Sequence, residues 1–179
     1  FSLNNILSKD ENIQEPELIS KFNDTKKLIN IYGIASAISY LHSHNVIYRG
    51  FKLNQIFLDD NLYPKLAGFN HSIELPRDSS KDSPTNFSAA RGSKRYLSPE
   101  ILSHLEYSKS SDVYGFGILM CEIMNGEASF PKNSDCYYLS HFVSKVLEGG
   151  ERPQIKESVP ECYRNLIQRC WAKNPEDRP

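Results

Sequence analysis

The stretch VIYRGFKLNQIF, residues 46–57, decides the fold that we predict for this chain. Val46 and Ile47 are β-branched and favour a strand, and β-forming residues return at Ile56 after a polar break. This alternation predicts two short strands on either side of an ordered loop. Gly50 lies at the centre of that loop and has no side chain to offer to chemistry.

A helix is predicted upstream of this stretch and a β-hairpin downstream. Between residues 25 and 42, apolar residues recur at spacings of three and four, which predicts one buried face of a helix. The residues of that face are Leu28, Ile31, Ile34, Ala35, Ile38 and Leu41. Downstream, IFL (56–58) and YPKLAGF (63–69) are separated by the turn-forming residues 59–61, so we expect a small hairpin there.

The segment DVYGFGILMCEIM, residues 112–124, is apolar on nearly every side, which predicts a helix buried at the centre of the domain. Ser110, Ser111 and Asp112 are all suitable caps for its N-terminus. Gly126 follows it, where a glycine commonly ends a helix. With these elements the predicted fold class is mostly α with a small β element.

The remaining segments are two further helices, a polar linker and a polar loop. Helices are predicted near residues 138–147 and 162–171, and residues 1–17 begin with a short amphipathic piece before the linker. Residues 77–94 are rich in Ser, Lys, Asp and Pro, which predicts a long mobile loop. Its candidate phosphorylation sites are Ser79, Ser80, Ser83, Thr85 and Ser88, with an unmodified solvated linker as the open alternative.

Composition restricts the class of protein and its partners. The chain has 179 residues, 39% of them hydrophobic, and a formal net charge of -1. Such a chain is long enough for one domain with a core, and its charge predicts neither a nucleic-acid nor a membrane partner. Its cysteines are Cys121, Cys136, Cys162 and Cys170. Their spacing predicts reduced thiols and a cytoplasmic protein, with a disulfide between Cys162 and Cys170 left as the alternative.

Four segments, in order along the chain, resemble the motifs of the eukaryotic protein kinase family. Residues 41–70, LHSHNVIYRGFKLNQIFLDDNLYPKLAGFN, resemble its catalytic and metal-binding loops, and residues 92–100, GSKRYLSPE, resemble the end of its activation segment. Residues 111–126, SDVYGFGILMCEIMNG, resemble its central buried helix, and residues 169–179, RCWAKNPEDRP, resemble its terminal Arg-containing motif. The pair Cys170-Trp171 and the D-V-Y-x-F-G pattern of residues 112–117 point to the tyrosine-kinase-like branch.

The resemblance implies the C-terminal lobe of the two-lobed α+β kinase fold. Because the motifs span nearly the whole chain, we expect residues 1–179 to form one kinase-like domain. The glycine-rich phosphate loop, the strand lysine and the helix glutamate of the N-terminal lobe have no counterpart in the sequence. We therefore expect the N-lobe and the last helix of that fold to be absent from this chain.

Three positions that carry chemistry in the family are altered here. Kinases use an Asp as the base, and an Asp and an Asn to hold Mg²⁺. By the resemblance, the base position is Gly50, the metal-binding Asn position is Gln55 and the metal-binding Asp position is Gly68. We therefore expect no intact catalytic set and no metal site. Lys52, which in the family faces the transferred phosphate, is retained, and a solvated surface lysine is its open alternative.

Nearby polar residues are weaker substitutes for the altered positions. Using Asn54 in place of Gln55 would shift the register of the following strand and exchange its buried face. Asp59 and Asp60 are expected to serve the hairpin turn rather than a metal. Asn70 offers one neutral oxygen, which cannot replace a carboxylate facing Mg²⁺.

Six further residues are implied to have structural roles. The resemblance implies that Tyr48 and Phe69 stack within the core, and that Arg49 packs the loop. It also implies that Asp112 holds the backbone amides of this loop. Glu100 and Arg178 match a buried ion pair of the family.

The sequence therefore predicts a pseudokinase that acts as a protein-interaction or regulatory module, without a cofactor. One open alternative is an active protein Ser/Thr or Tyr kinase that uses displaced catalytic groups with ATP and Mg²⁺. Another is a domain that only regulates a neighbouring catalytic domain. The expected partners are proteins, including another kinase or a neighbouring domain.

Overall fold

The computed structural model describes residues 1–8, 16–75, 85–86, 93–104, 106–129, 139–148 and 150–179. Its helices are α1 (Leu3–Leu7), α2 (Pro16–Lys21), α3 (Asp24–Ser43), α4 (Pro99–His104), α5 (Lys109–Asn125), α6 (Leu139–Leu147) and α7 (Glu161–Cys170). Its strands are β1 (Val46–Ile47), β2 (Ile56–Leu58), β3 (Pro64–Leu66), β4 (Ile73–Glu74), β5 (Thr85–Asn86) and β6 (Glu106–Tyr107). The fold of the described residues is mostly α with small β elements, as predicted.

Helix α5 is the centre of the core and packs against α3 and α7. Its side chains are buried on several faces, as the apolar sequence predicts. The predicted N-cap is wrong, however, because the cap is Ser108, whose side chain accepts a hydrogen bond from Ser111 N. Asp112 lies in the first turn of α5, and its carboxylate accepts hydrogen bonds from the backbone of Tyr48 and Arg49. At the other end Gly126 has φ +70°, in the left-handed region that glycine adopts without strain, as predicted.

Helix α3 forms one wall of the core. Asn23 caps its N-terminus by accepting a hydrogen bond from Lys26 N. Ile31, Ile34 and Ile38 are buried, as the spacing predicts. Leu28 is an exception, since it is 38% exposed and borders an open cleft between α3 and the segment before α7.

Strands β2 and β3 form the predicted hairpin. Ile56 pairs with Leu66 and Phe57 pairs with Lys65, in antiparallel register. Ile56 and Leu58 point into the core, whereas Phe57 is 44% exposed. The sequence did not predict the short pair of β1 with β4, which closes the loop between them.

The chain before α3 contains two short helices. Helix α1 is the predicted amphipathic piece, and Leu3 and Leu7 are buried against the core. Helix α2 begins at Pro16, before the predicted polar linker ends, so that prediction is wrong for Pro16 and Glu17. None of its residues is buried, which explains why it lacks an apolar face in the sequence.

The predicted loop at residues 77–94 is only partly described. Thr85–Asn86 forms strand β5, which pairs with β6, and a 3₁₀ turn begins at Lys94. These two elements correct the expectation of a continuous loop. Mobility and phosphorylation at Ser79, Ser80, Ser83 and Ser88 concern residues outside the described part of the chain.

Cys121, Cys162 and Cys170 are free thiols, so the alternative of a disulfide between Cys162 and Cys170 is wrong. Burial raises the pKa of Cys170 to about 11, which keeps this thiol protonated at neutral pH. Among the described residues, every helix is too short or too polar to cross a bilayer.

A buried ion pair joins α4 to the last turn of the chain. Arg178 Nη1 donates to Glu100 Oε1 at 2.7 Å and Arg178 Nη2 donates to Oε2 at 2.9 Å. The Arg178 side chain is fully buried, and its guanidinium also donates to the carbonyls of Ala172 and Ser110. Burial raises the pKa of Glu100, but the hydrogen bond and charge of Arg178 outweigh it and leave that pKa below its usual value. The predicted contact is therefore present and bidentate.

A second buried carboxylate joins α5 to the segment before α4. Glu122 is 1% exposed. Its Oε2 accepts a hydrogen bond from Tyr96 Oη at 2.6 Å, and its Oε1 accepts one from Ser129 N at 2.9 Å. Burial raises the pKa of Glu122 above its usual value, although these two hydrogen bonds partly oppose the effect.

We predict that Arg178→Ala and Glu100→Ala each lower the free energy of unfolding by about 3–5 kcal/mol, because either change leaves a buried charge without its partner. The double variant should lose less than the sum of the two. Since the pKa of Glu100 is lowered in the fold, its stabilisation is present at neutral pH and is lost as the pH falls through that pKa. Urea unfolding measures these effects.

The control is Lys21→Ala, which breaks the exposed pair of Lys21 with Glu17. That change should cost no more than about 1 kcal/mol. A loss for Arg178→Ala as small as that of the control would show that the buried pair does not stabilise the fold.

We predict that Glu122→Gln becomes more stable relative to the parent protein as the pH rises from 4 to 7. A carboxyl whose pKa is raised in the fold favours the native state while it is protonated, and this contribution is lost as the pH rises through the folded pKa. Glutamine can still accept the bond from Ser129 N through its amide oxygen and can donate its NH₂ to the Tyr96 hydroxyl, and it has no such titration. Urea unfolding at several pH values tests this, with the exposed Glu157→Gln as control. A stability difference that does not change with pH would contradict the prediction.

Candidate functional site

The carboxylate of Asp112 holds the loop that follows β1. Asp112 is 2% exposed and lies in the first turn of α5. Its Oδ2 accepts a hydrogen bond from Tyr48 N at 2.7 Å, and its Oδ1 accepts one from Arg49 N at 2.9 Å. His42 Nε2, at the end of α3, donates to the same Oδ2 at 2.9 Å. One side chain thus joins α3, α5 and the loop.

Arg49 is buried in this loop, with 8% of its surface exposed. Its backbone has φ +58°, which is unusual for a residue other than glycine and is held by the hydrogen bond from its amide to Asp112. The guanidinium carbon lies 3.9 Å from the centre of the Tyr107 ring, within range of a cation–π interaction. The structure therefore places Arg49 against β6.

Tyr48 is the central aromatic side chain of the site. It is fully buried, and its Oη donates a hydrogen bond to the carbonyl of Ala67 at 2.5 Å. Its ring meets Phe51 edge-on at 5.2 Å and Phe69 at 5.6 Å between centroids. Burial, and next the charge of Asp112, raises the pKa of Tyr48 well above its usual value. The predicted contact with Phe69 is present, but Phe69 is 48% exposed and does not lie in the core, which corrects that expectation.

The ring of Tyr48 fills the space beside Gly50. A Cβ built on Gly50 would lie 2.7 Å from Tyr48 Cζ and 2.8 Å from Cε2. Contacts this short essentially never occur for real Cβ atoms, so any side chain at residue 50 requires the buried ring to move. Residue 50 therefore has no side chain, and there is no space for one unless Tyr48 moves.

Gln55 fills the corresponding space beside Gly68. A Cβ on Gly68 would lie 2.6 Å from both Cδ and Oε1 of Gln55. Gly68 also has φ +77°, a backbone conformation that strains most other residues. The two glycines at the altered positions thus each lie against a larger neighbour that occupies the space of a side chain.

The nearby polar residues Asn54, Asp59 and Asn70 do not replace the altered positions. Asp59 Oδ1 accepts hydrogen bonds from Asn61 N and Tyr63 N, which confirms its expected role in the hairpin turn. The observed register buries Ile56, so Asn54 does not replace Gln55 by a shift of the strand. Asn70 is exposed and lies beside His71.

The site does not fit a divalent metal. Gly50 and Gly68 offer no side-chain ligand, and the space where a carboxylate would begin at either position is filled by Tyr48 or Gln55. Among the residues that the structure describes, no group of three or more His, Cys, Asp or Glu side chains could hold a metal ion. Lys52, the retained basic residue, is exposed at the edge of the site.

Sequence reasoning missed three residues that the fold brings here. His42 is 70 positions from Asp112, and its place in the last turn of α3 gave no signal of their contact. His71 and Ser93 line a cavity together with Lys52 and Gln55. The fold, and not a local pattern, brings these two residues beside Lys52 and Gln55.

Comparison with known proteins identifies the family of the chain. The family described as protein kinase domain matches residues 2–179. The dual specificity protein kinase shkC of Dictyostelium discoideum is 32% identical over 148 residues, which cover 81% of this chain and 28% of that protein. The serine/threonine/tyrosine-protein kinase HT1 of Arabidopsis thaliana is 33% identical over 147 residues, covering 82% and 35%.

A third relative extends the match along the chain. The cysteine-rich receptor-like protein kinase 10 of Arabidopsis thaliana is 31% identical over 186 aligned positions, which cover 96% of this chain and 27% of that protein. The chain thus spans between 27% and 35% of the length of these three relatives. Since the family match takes in nearly every residue and the fold is that of a kinase C-lobe, we conclude that the chain belongs to the protein kinase family.

Proposed function

We propose that this chain is a pseudokinase domain of the tyrosine-kinase-like branch, which acts as a protein-interaction or regulatory module. The proposal rests on the surroundings of Gly50 and Gly68. Both lack a side chain, and Tyr48 and Gln55 occupy the adjoining space. These are the positions that would hold the base and a metal ligand, and the absence of side chains there argues against efficient phosphoryl transfer.

The magnitude of this loss supports the proposal. General acid–base assistance contributes roughly 10²–10⁴ in rate. The metal ions neutralise the charge that develops on the transferred group, and the described residues offer them no ligand set. These two effects act on the same step, so we expect their loss together to reduce transfer to background.

The retained contacts suit a module that binds proteins. The hydrogen bonds to Asp112 and the pair of Glu100 with Arg178 hold the fold without any nucleotide. Partners are proposed to be proteins, such as another kinase or a neighbouring domain. A cytoplasmic location is proposed from the free thiols, which are usual in a reducing compartment.

The alternative function is an active protein kinase that uses displaced groups with ATP and Mg²⁺. The names of the relatives favour it, because they describe dual specificity and serine/threonine/tyrosine kinases. Lys52 would then face the transferred phosphate. Under this alternative, side chains at positions other than 50 and 68 would supply the base and the metal ligands.

We predict that this domain transfers no radiolabelled phosphate from ATP to itself or to generic protein substrates above background, also when it is joined to an N-terminal lobe. The reason is the missing base and metal ligands at Gly50 and Gly68. Reactions with Mg²⁺, with Mn²⁺ and with EDTA should give the same result.

The control variants for this assay are Lys52→Ala and Lys173→Ala, which remove two exposed lysines. Only Lys52 lies at the candidate site. Mg²⁺-dependent incorporation that Lys52→Ala abolishes and Lys173→Ala preserves would falsify the pseudokinase proposal and support the active kinase.

We also predict that Gln55 and Gly68 are coupled in stability. Gly68→Ala should lower the free energy of unfolding by roughly 1–3 kcal/mol, mainly through the strained positive φ and in smaller part because the Gln55 side chain has to move. Adding Gln55→Ala should recover the smaller part of this loss, because it removes the contact and leaves the strain. A double-mutant cycle by urea unfolding measures the coupling.

Gly126→Ala is the matched control for this cycle. Gly126 has φ +70°, similar to Gly68, but a Cβ there would meet nothing within 4 Å. It should therefore show the cost of the backbone strain alone, and Gln55→Ala should not reduce that cost. An additive result at Gly68 would mean that Gln55 does not fill this position.

A further inference from the structure

The outer surface of α3 exposes two large aromatic side chains. Tyr32 is 76% exposed and Tyr40 is 65% exposed, and they lie on the same side of the helix, about two turns apart. Both line a shallow groove of about 510 Å³. The other residues that line the groove are small, and they are Ala35, Ser36, Ser39 and Ser43. We name the surface formed by these two tyrosines and four small residues the α3 face.

The α3 face carries no formal charge. Residues 28–48 contain no Asp, Glu, Lys or Arg. The charged residues of α3 are confined to its first turn, where Lys27 Nζ lies 2.9 Å from Asp24 Oδ1. A helix face that contacts only water commonly carries charged side chains, as α2 does with its exposed pair of Lys21 and Glu17. The composition of the α3 face is therefore unusual for a surface that stays in water.

The same composition is typical of the core of a protein interface, where tyrosine is enriched and charged residues are depleted. A tyrosine supplies a large contact area and has only two side-chain torsions to fix on binding. Tyr40 is already restricted in the free chain, because its ring lies 4.3 Å from the ring of His44, measured between centroids. Ser43 Oγ donates to the carbonyl of Tyr40 at 2.7 Å, so this hydroxyl needs no partner across an interface. Both contacts reduce the cost of association.

We propose that the α3 face binds the same face of a second copy of this chain, as a two-fold symmetric, antiparallel pair of α3 helices centred on Ser36. A two-fold axis places one patch on both sides of an interface, so a charge on that patch faces its own copy. The α3 face has no such charge and therefore meets itself without repulsion. The helix dipoles favour the antiparallel arrangement over the parallel one.

The order of side chains on α3 suits this pairing. Ser36 is small, so two helices that cross there can approach to about 8–10 Å between their axes. Tyr32 and Tyr40 are equally far from Ser36 along the chain, so Tyr32 of one copy lies opposite Tyr40 of the other. An aromatic pair then packs on each side of the crossing. The inference goes beyond the proposed function, because the residues of the α3 face lie outside the candidate site and no step of catalysis depends on them.

The first test is sedimentation velocity of the chain at a series of concentrations up to about 500 µM. One helix face is a small interface, so we expect a reversible equilibrium of monomer and dimer with a Kd in the micromolar range. A chain that remains monomeric at every concentration would overturn the proposal.

Charge variants identify the surface that pairs. Ser36→Arg brings two positive charges together at the crossing and should raise the Kd of the dimer by at least about tenfold. Tyr32→Ala removes an aromatic contact on each side and should raise it about tenfold. The matched control is Gln168→Arg, which adds the same charge to an exposed position of α7 and should change the Kd less than about twofold. Melting curves confirm that each variant is folded. Equal effects of Ser36→Arg and Gln168→Arg would also overturn the proposal.

Disulfide cross-linking tests the position of the crossing, in a chain that carries Cys136→Ser and Cys162→Ser. Two Cα atoms must lie within about 7 Å to be joined by a disulfide, so Ser36→Cys should form a covalent dimer on mild oxidation. Gln168→Cys, on another helix, should not, and equal cross-linking of the two variants would contradict the pairing. The outcome is separable from that of the proposed function, because a monomeric chain without phosphoryl transfer would overturn only the role of the α3 face.

Discussion

The buried carboxylate of Asp112 is the constraint on which the rest of the site depends. A charge that is 2% exposed is stable only when its oxygens are hydrogen-bonded, and the donors are Tyr48 N, Arg49 N and His42 Nε2. Because these donors come from the loop and from α3, satisfying one carboxylate fixes the loop against two helices. None of the three contacts involves a nucleotide or a metal. This part of the fold can therefore form without either.

Gly50 and Gly68 show how larger side chains pack beside a residue that has no side chain. Protein interiors are close-packed, so the space left by a missing side chain is filled by its neighbours. Tyr48 lies over Gly50 and Gln55 lies over Gly68. Each pair is a small residue beside a larger one, and changing one member requires the other to change. The cavity beside Gly50 and Gln55 is lined by Lys52 and by no described carboxylate.

Elements with a strong local pattern were predicted well. The hairpin β2–β3 follows from alternation and turn residues, and its register buries Ile56 as expected. Errors fall where the deciding contact is distant. Leu28 has helical spacing but faces an open cleft, and helix α2 has no buried face that a periodicity could reveal. The N-cap of α5 is Ser108, and Asp112 instead accepts a hydrogen bond from the loop 64 positions earlier in the chain.

The sequence by itself determined which chemical groups are present. It has glycines at residues 50 and 68, so the absence of a base and a metal ligand there needed no coordinates. It also predicted the pairing of Glu100 with Arg178 from a resemblance. Only the tertiary structure decided that Arg178 is fully buried across a separation of 78 positions, and that Tyr48 and Gln55 fill the vacant spaces. The physical reason is that periodicity records which face of an element is apolar, whereas the filling of a space depends on side chains that meet only after the chain has folded.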